Sequence, residues 1–236
     1  MILRQSTDIE KTRMYNVTPE FISSEELKND IPKLPSPRVL QYHLPFDRFP
    51  LQVLAIKPRV VYIARNPKDV MVSAFSFFTG LKDTYKFKGT WEDMFELSVS
   101  GQFPPGSWFK HVLDAEQFIR EHPDLPVQVV VYEKLKESPV EEITKICQFL
   151  GKPDALAEKI AEAVAFNKFK ANMQKEKLAE IESLRFEKDS SGVLRKGVVG
   201  DWRNWFSEEQ NKEFDKVYLD KMKDSPIGNL LKKYMM

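Results

Sequence analysis

Residues 60–78, VVYIARNPKDVMVSAFSFF, decide the architecture. The run RVVYI at residues 59–63 is continuous and largely β-branched, as expected of a parallel strand covered on both faces. The period then changes. Asn66 is a good helix N-cap, Pro67 suits the first helical position, and Asp69 puts a carboxylate in the first turn, where it favours the helix dipole. Helical spacing follows over residues 69–78. Arg65 is left at the strand–helix junction, close to the positive end of the helix, a place that suits a phosphate. Ser73 lies two turns on and can donate its hydroxyl to the same anion. The plainer alternative is that Arg65 pairs with a structural carboxylate and Ser73 is only tolerated.

Two further segments read as strands, residues 38–41 (RVLQ) and 127–131 (VQVVV). Amphipathic stretches at 91–97, 108–121, 139–150 and 206–218 read as helices, with loops at 82–89, 101–106 and 189–192. Residues 173–188, rich in Lys and Glu, read as a solvated helix or a flap. Strands alternating with helices predict an α/β fold with a largely parallel sheet. In such sheets ligands bind beyond the carboxyl ends of the strands. The three strands deliver His43, Arg65 and Tyr132 to that edge, a plausible binding rim.

Composition narrows the classes. The chain has 236 residues, 42% of them hydrophobic; 30% are charged, and these nearly cancel to a net +1. No global field is available to coat nucleic acid, so an anion site must be local. The single cysteine, Cys147, rules out an intrachain disulfide and fits a reducing compartment. Residues 1–16 lack the apolar core of a signal peptide, and no run approaches the roughly 20 apolar residues that span a bilayer. A cytoplasmic protein with no membrane or nucleic-acid partner is expected. No histidine pair has zinc-ligand spacing, so no metal is expected. The absence of a G-x-x-x-x-G-K-[ST] run argues against a P-loop kinase.

Two more constellations carry possible chemistry. In residues 194–206, LRKGVVGDWRNWF, Arg195 and Lys196 stand beside Gly197 and Gly200. Glycine lets backbone amides approach a ligand, Arg offers a planar fork to phosphate oxygens and Lys a point charge. A solvated surface pair is the plain alternative, which the glycines and Trp202 disfavour. His43, at the end of SPRVLQYHLP (residues 36–45), can serve as a general base near neutral pH, although a lone histidine is more often simply core or surface.

Taken together these runs resemble the cytosolic sulfotransferases of phenols, steroids and amines. SPRVLQYHLP, VVYIARNPKDVMVSAFSFF and RKGVVGDWRNWFSEEQNKEFD carry the likeness, supported by GSWFKHV at 106–112 and VVYEKLKESPVEEITKICQFLG at 130–151. The resemblance implies one P-loop-like three-layer domain over residues 1–236, with a central parallel sheet, using 3′-phosphoadenosine 5′-phosphosulfate as co-substrate. It implies that Arg65 and Ser73 hold the donor's 3′-phosphate, that Arg195, Lys196 and Gly197 close on it, that Tyr132 and Phe169 contact adenine, and that His43 is the catalytic base. His111, Phe77 and Phe78 would face a small acceptor, a phenol, steroid, alcohol or amine. The alternative is a catalytically impaired binder of 3′-phosphoadenosine nucleotides.

Three features depart from the family pattern. The opening strand and its YPKSGTTW-type phosphate loop find no match in residues 1–35, and an N-terminus cut short in the gene model or transcript is the expectation. Gln41 stands where the family usually has Lys two residues before the base. The family's dimer motif K-x-x-x-T-V-x-x-x-E is degraded, since Arg203, Ser207, Glu208 and Lys212 occupy its positions, so that dimer is not expected.

Overall fold

The computed structural model describes residues 1–7, 23–29, 31–34, 36–82, 86–103, 106–175, 186–187, 190 and 194–236. Eleven helices flank two strands among them: α1 (Ser24–Asn29), α2 (Gln52–Ile56), α3 (Pro67–Thr79), α4 (Trp91–Ser100), α5 (Trp108–Glu121), α6 (Tyr132–Glu137), α7 (Pro139–Phe149), α8 (Ala157–Ala163), α9 (Phe166–Lys175), α10 (Glu208–Lys221) and α11 (Pro226–Leu231). Strands β1 (Val60–Ala64) and β2 (Val127–Val131) pair in parallel, from Val60 opposite Val127 to Ala64 opposite Val131. The chain is α/β, and its parallel strands end on the same rung. Arg65 and Tyr132 therefore leave the sheet side by side.

The helix boundaries follow from local chemistry. Asn66 caps α3 by accepting from the Lys68 amide, with Pro67 next. Thr90 and Asp93 form a capping box on α4, and Ser207 with Gln210 forms one on α10. Each box satisfies amide donors that an α-helix leaves open at its start. Glu208 and Lys212 form an exposed ion pair one turn apart within α10. The loop at 101–106 begins at Gly101, whose left-handed conformation ends α4.

Two expectations need correction. Residues 38–41 are not a strand of the sheet. Leu40 makes only an isolated bridge, Val39 and Leu40 are exposed, and the Arg38 guanidinium turns back to the Ile31 carbonyl, so the segment lacks the apolar cover that a sheet strand requires. Nor is β1 covered on both faces. Tyr62 and Ala64 are buried against the main core while Ile63, pointing the other way, is 60% exposed. Residues 173–188 lie mostly outside the described residues, as do parts of the 82–89, 101–106 and 189–192 loops; residues 173–175 belong to α9.

The main core joins Tyr62, Met71, Met94, Phe109, Val112 and Phe214 between the sheet, α3, α4, α5 and α10. A smaller one, built on Ile143, Cys147 and Ile160, joins α7 to α8. Among the described residues no helix is long and apolar enough to cross a membrane.

These cores predict a sharp contrast in stability. Phe214→Ala should cost about 3–5 kcal/mol, because a buried ring leaves a cavity. Ile63→Ala should cost less than about 1 kcal/mol, since little burial is lost. Urea unfolding midpoints of the two variants against the parent chain check both, and equal losses would contradict the placement of Ile63 on an open face.

Candidate functional site

The site is built where β1 and β2 end. The Arg65 guanidinium lies 4.5 Å above the Tyr132 ring, a cation–π arrangement that the strand register creates. Its Nε is buried and has no hydrogen-bond partner among the described residues. The next residues are locked by Glu133, whose buried carboxylate accepts the Asn66 amide at 2.8 Å. Burial pushes the Glu133 carboxyl up, against the opposing effects of amide hydrogen bonds and Arg65. Arg65 makes no ion pair among the described residues, so the structural-carboxylate alternative receives only this weaker, through-space support.

Asp69 does more than favour a helix dipole. Fully buried, it accepts the Gly200 amide at 2.7 Å through Oδ2 and the Trp202 amide at 3.0 Å through Oδ1. That pair of bonds holds the distant 195–202 loop against the helix that starts beside Arg65. Ser73, one turn beyond Asp69 on the same face, is half-buried and makes no hydrogen bond among the described residues.

Within the loop, Asp201 is a hub. It is ion-paired with Arg195 and, at 2.8 Å, with Lys196, and it also accepts from Asn204 at 2.9 Å and the Trp205 indole at 3.3 Å. Burial alone would raise its carboxyl, but these hydrogen bonds outweigh it and hold the group well below the usual carboxylate range. Arg195 is thereby fixed through Nη1, while its Nε is buried without a partner among the described residues. Lys196 is half exposed.

Gly197 has a φ of 66°, and a Cβ there would overlap the Phe166 ring. Phe166 in turn lies 5.8 Å from the Lys136 ammonium, one turn after Tyr132 on α6. Contacts thus close a circuit: Arg65 to Tyr132, along α6 to Lys136, to Phe166, to Gly197, along the loop to Gly200, and through Asp69 back to Arg65. The structure brings Arg65, Tyr132, Arg195, Lys196 and Gly197 to one rim. Phe169 is half-buried one helical turn beyond Phe166, and it is Phe166 that meets the loop. Sequence reading passed over Phe166; its signal was the glycine, whose missing side chain must make room for something.

His43 is exposed, with Gln41 Nε2 3.4 Å from its Nε2. Its backbone, with that of Leu44, hydrogen-bonds the His111 ring on α5, whose Nδ1 meets the Tyr62 hydroxyl at 3.1 Å. Burial lowers the His111 pKa, so the ring is neutral at pH 7. His111 thus ties the 43–44 segment to β1, three residues or about 10 Å along the strand from Arg65. Two separate groups of aromatic rings are packed in this part of the structure. His111 stacks on Tyr62 and meets Phe46 edge-on, while Phe77 and Phe78 belong to an edge-to-face series with Phe103 and Phe186. No group of residues that could hold a metal occurs among the described residues.

Comparison with known proteins shows the family and the fold. The sulfotransferase domain family matches residues 3–226. Sulfotransferase 1A1 of Rattus norvegicus is 37% identical over 192 residues, covering 80% of this chain and 64% of the relative's length. A solved structure of mouse sulfotransferase SULT7A1 complexed with PAP is 32% identical with a TM-score of 0.78, over 93% of this chain and 79% of that one. Retinol dehydratase in complex with androsterone and inactive cofactor PAP is 28% identical with a TM-score of 0.68, over 82% and 56%.

The Asp201 hub carries a pH signature. A carboxyl depressed in the folded state stabilises the fold above the unfolded value near 4, and this contribution fades as the pH falls toward the folded value. Asp201→Asn should therefore be less stable than the parent chain at pH 7, with the gap narrowing below about pH 4. Urea midpoints between pH 7 and pH 3 test this; a gap independent of pH would contradict the hub's charge.

Proposed function

The chain belongs to the sulfotransferase domain family, and from that premise we propose that it binds 3′-phosphoadenosine 5′-phosphosulfate as co-substrate and transfers its sulfuryl group to a hydroxyl or amine of a small acceptor. The observation that carries the nucleotide reading is the pair of buried guanidinium donors, Arg65 Nε and Arg195 Nε, left without partners among the described residues. A buried donor without an acceptor is costly, and a phosphate dianion supplies acceptors with the matching charge. Lys196 adds a third cation from solvent, and Ser73 a free hydroxyl on the face that Asp69 turns to the loop. Tyr132 on one side and Phe166 on the other offer flat apolar surfaces for adenine, with Phe169 a turn further along α9.

When bound, the donor supplies an activated sulfuryl group at its 5′ end. His43 would take the proton of the acceptor through an imidazole nitrogen, and His111 holds the backbone that carries it. The rings of Phe77 and Phe78 suit an apolar acceptor such as a phenol or steroid. A second reading, a nucleotide binder with impaired turnover, has one specific support. Gln41 brings an amide to His43 but no positive charge for a departing anion.

Calorimetry with adenosine 3′,5′-bisphosphate tests the binding half. The full chain should bind, Arg195→Ala should weaken binding by about 30-fold or more through loss of charged hydrogen bonds, and His43→Ala should leave affinity unchanged. Turnover of a simple phenol by the full chain, abolished in His43→Ala, separates transferase from binder. Failure of the bisphosphate to bind would remove both readings.

A further inference from the structure

Residues 234–236 spend their polar groups on the segments that build the anion rim. The Tyr234 hydroxyl donates to Glu137 Oε2 at 2.7 Å, at the end of the helix that begins with Tyr132. The Tyr234 carbonyl accepts from Asn66 Nδ2, next to Arg65. The Met235 carbonyl accepts from Lys68 Nζ at 2.7 Å, in the first turn of α3. The Met236 carbonyl accepts from Arg203, in the turn that follows the basic loop. Three consecutive main-chain oxygens and one phenol thus reach the start of α3, the end of α6 and the turn that follows the basic loop.

Lys68 sits at the middle of this arrangement. Its side chain is fully buried, and its amine also meets Asp215 at 2.6 Å and Asn211 while lying 4.1 Å from the Trp202 ring. Burial lowers its pKa and the Asp215 hydrogen bond opposes that. A buried ammonium depends on its acceptors, and the Met235 carbonyl is one of three that Lys68 has here, beside α3 and Trp202. Trp202 is the residue whose amide Asp69 holds. Tyr234 and Met235 are themselves buried in the main core, which anchors the segment against fraying.

We propose that residues 234–236 are a latch that sets the spacing between Arg65 and the 195–202 loop, so that affinity for a 3′-phosphate depends on a segment outside the rim. The link to affinity rests on the nucleotide reading above, whereas the latch itself is defined by protein contacts alone.

The test compares the full chain with one ending after Lys233, at a temperature where circular dichroism shows both folded. Amide exchange at Gly200 and Trp202, the two Asp69 donors, should accelerate about tenfold or more in the shortened chain, while amides in α7 keep their rates. The dissociation constant for adenosine 3′,5′-bisphosphate should rise about tenfold as well. Gly200 and Trp202 rates within about twofold of the full chain, or equal acceleration in α7, would overturn the latch. Should the shortened chain not fold, Lys68→Met, which loses the bond to the Met235 carbonyl along with the Asp215 pair and the Asn211 bond, is compared with Asp215→Asn, which loses the ion pair but keeps that carbonyl bond. The latch requires faster exchange at Gly200 and Trp202 in the first than in the second, and equal rates would overturn it. A full chain that ignores the bisphosphate refutes the ligand, and exchange alone then decides the latch.

Discussion

The buried Asp69 carboxylate is the contact on which the site depends. It receives two backbone amides, of Gly200 and Trp202, from a loop more than a hundred residues away. Each of those amides would cost about 1–3 kcal/mol if left buried and unpaired, so the two bonds hold the loop firmly. Asp69 can do this only because Asn66 and Pro67 start the helix where β1 ends. The strand register then completes the arrangement, placing Tyr132 under Arg65. A cationic rim thereby arises on a chain with almost no net charge.

Local signals in the sequence reported local structure well. The cap at Asn66 marks a helix start because capping is settled by a few neighbouring residues. The strand at 127–131 and the α/β class were legible from β-branched runs. The segment 38–41 also reads as a short strand but remains outside the β1–β2 sheet with Val39 and Leu40 exposed, since composition does not supply the tertiary cover that a sheet strand needs. Ile63 shows the same limit: a continuous apolar run indicates that a strand can be covered on both faces, and what packs over it is a matter of tertiary structure.

The site was legible in its charges and less so in its supports. Arg65, Arg195, Lys196 and Tyr132 stand out by residue type and position. What holds them does not, because it consists of long-range pairings: Asp69 with the loop amides, Asp201 with both loop cations, Phe166 under Gly197, and the 234–236 carbonyls with Asn66, Lys68 and Arg203. The glycines hinted at close approach. Nothing in the sequence indicated that Lys68 would be buried on the Trp202 ring.

The central claim is that Arg65 and Arg195, remote in sequence, grip a single phosphate. A double-mutant cycle on affinity for adenosine 3′,5′-bisphosphate, with Arg65→Ala, Arg195→Ala and the double variant, measures this directly. A shared phosphate predicts that the two losses are not additive, with a coupling of about 0.5–3 kcal/mol. Losses that add to within about 0.5 kcal/mol would place the two guanidinium groups on separate ligands or none.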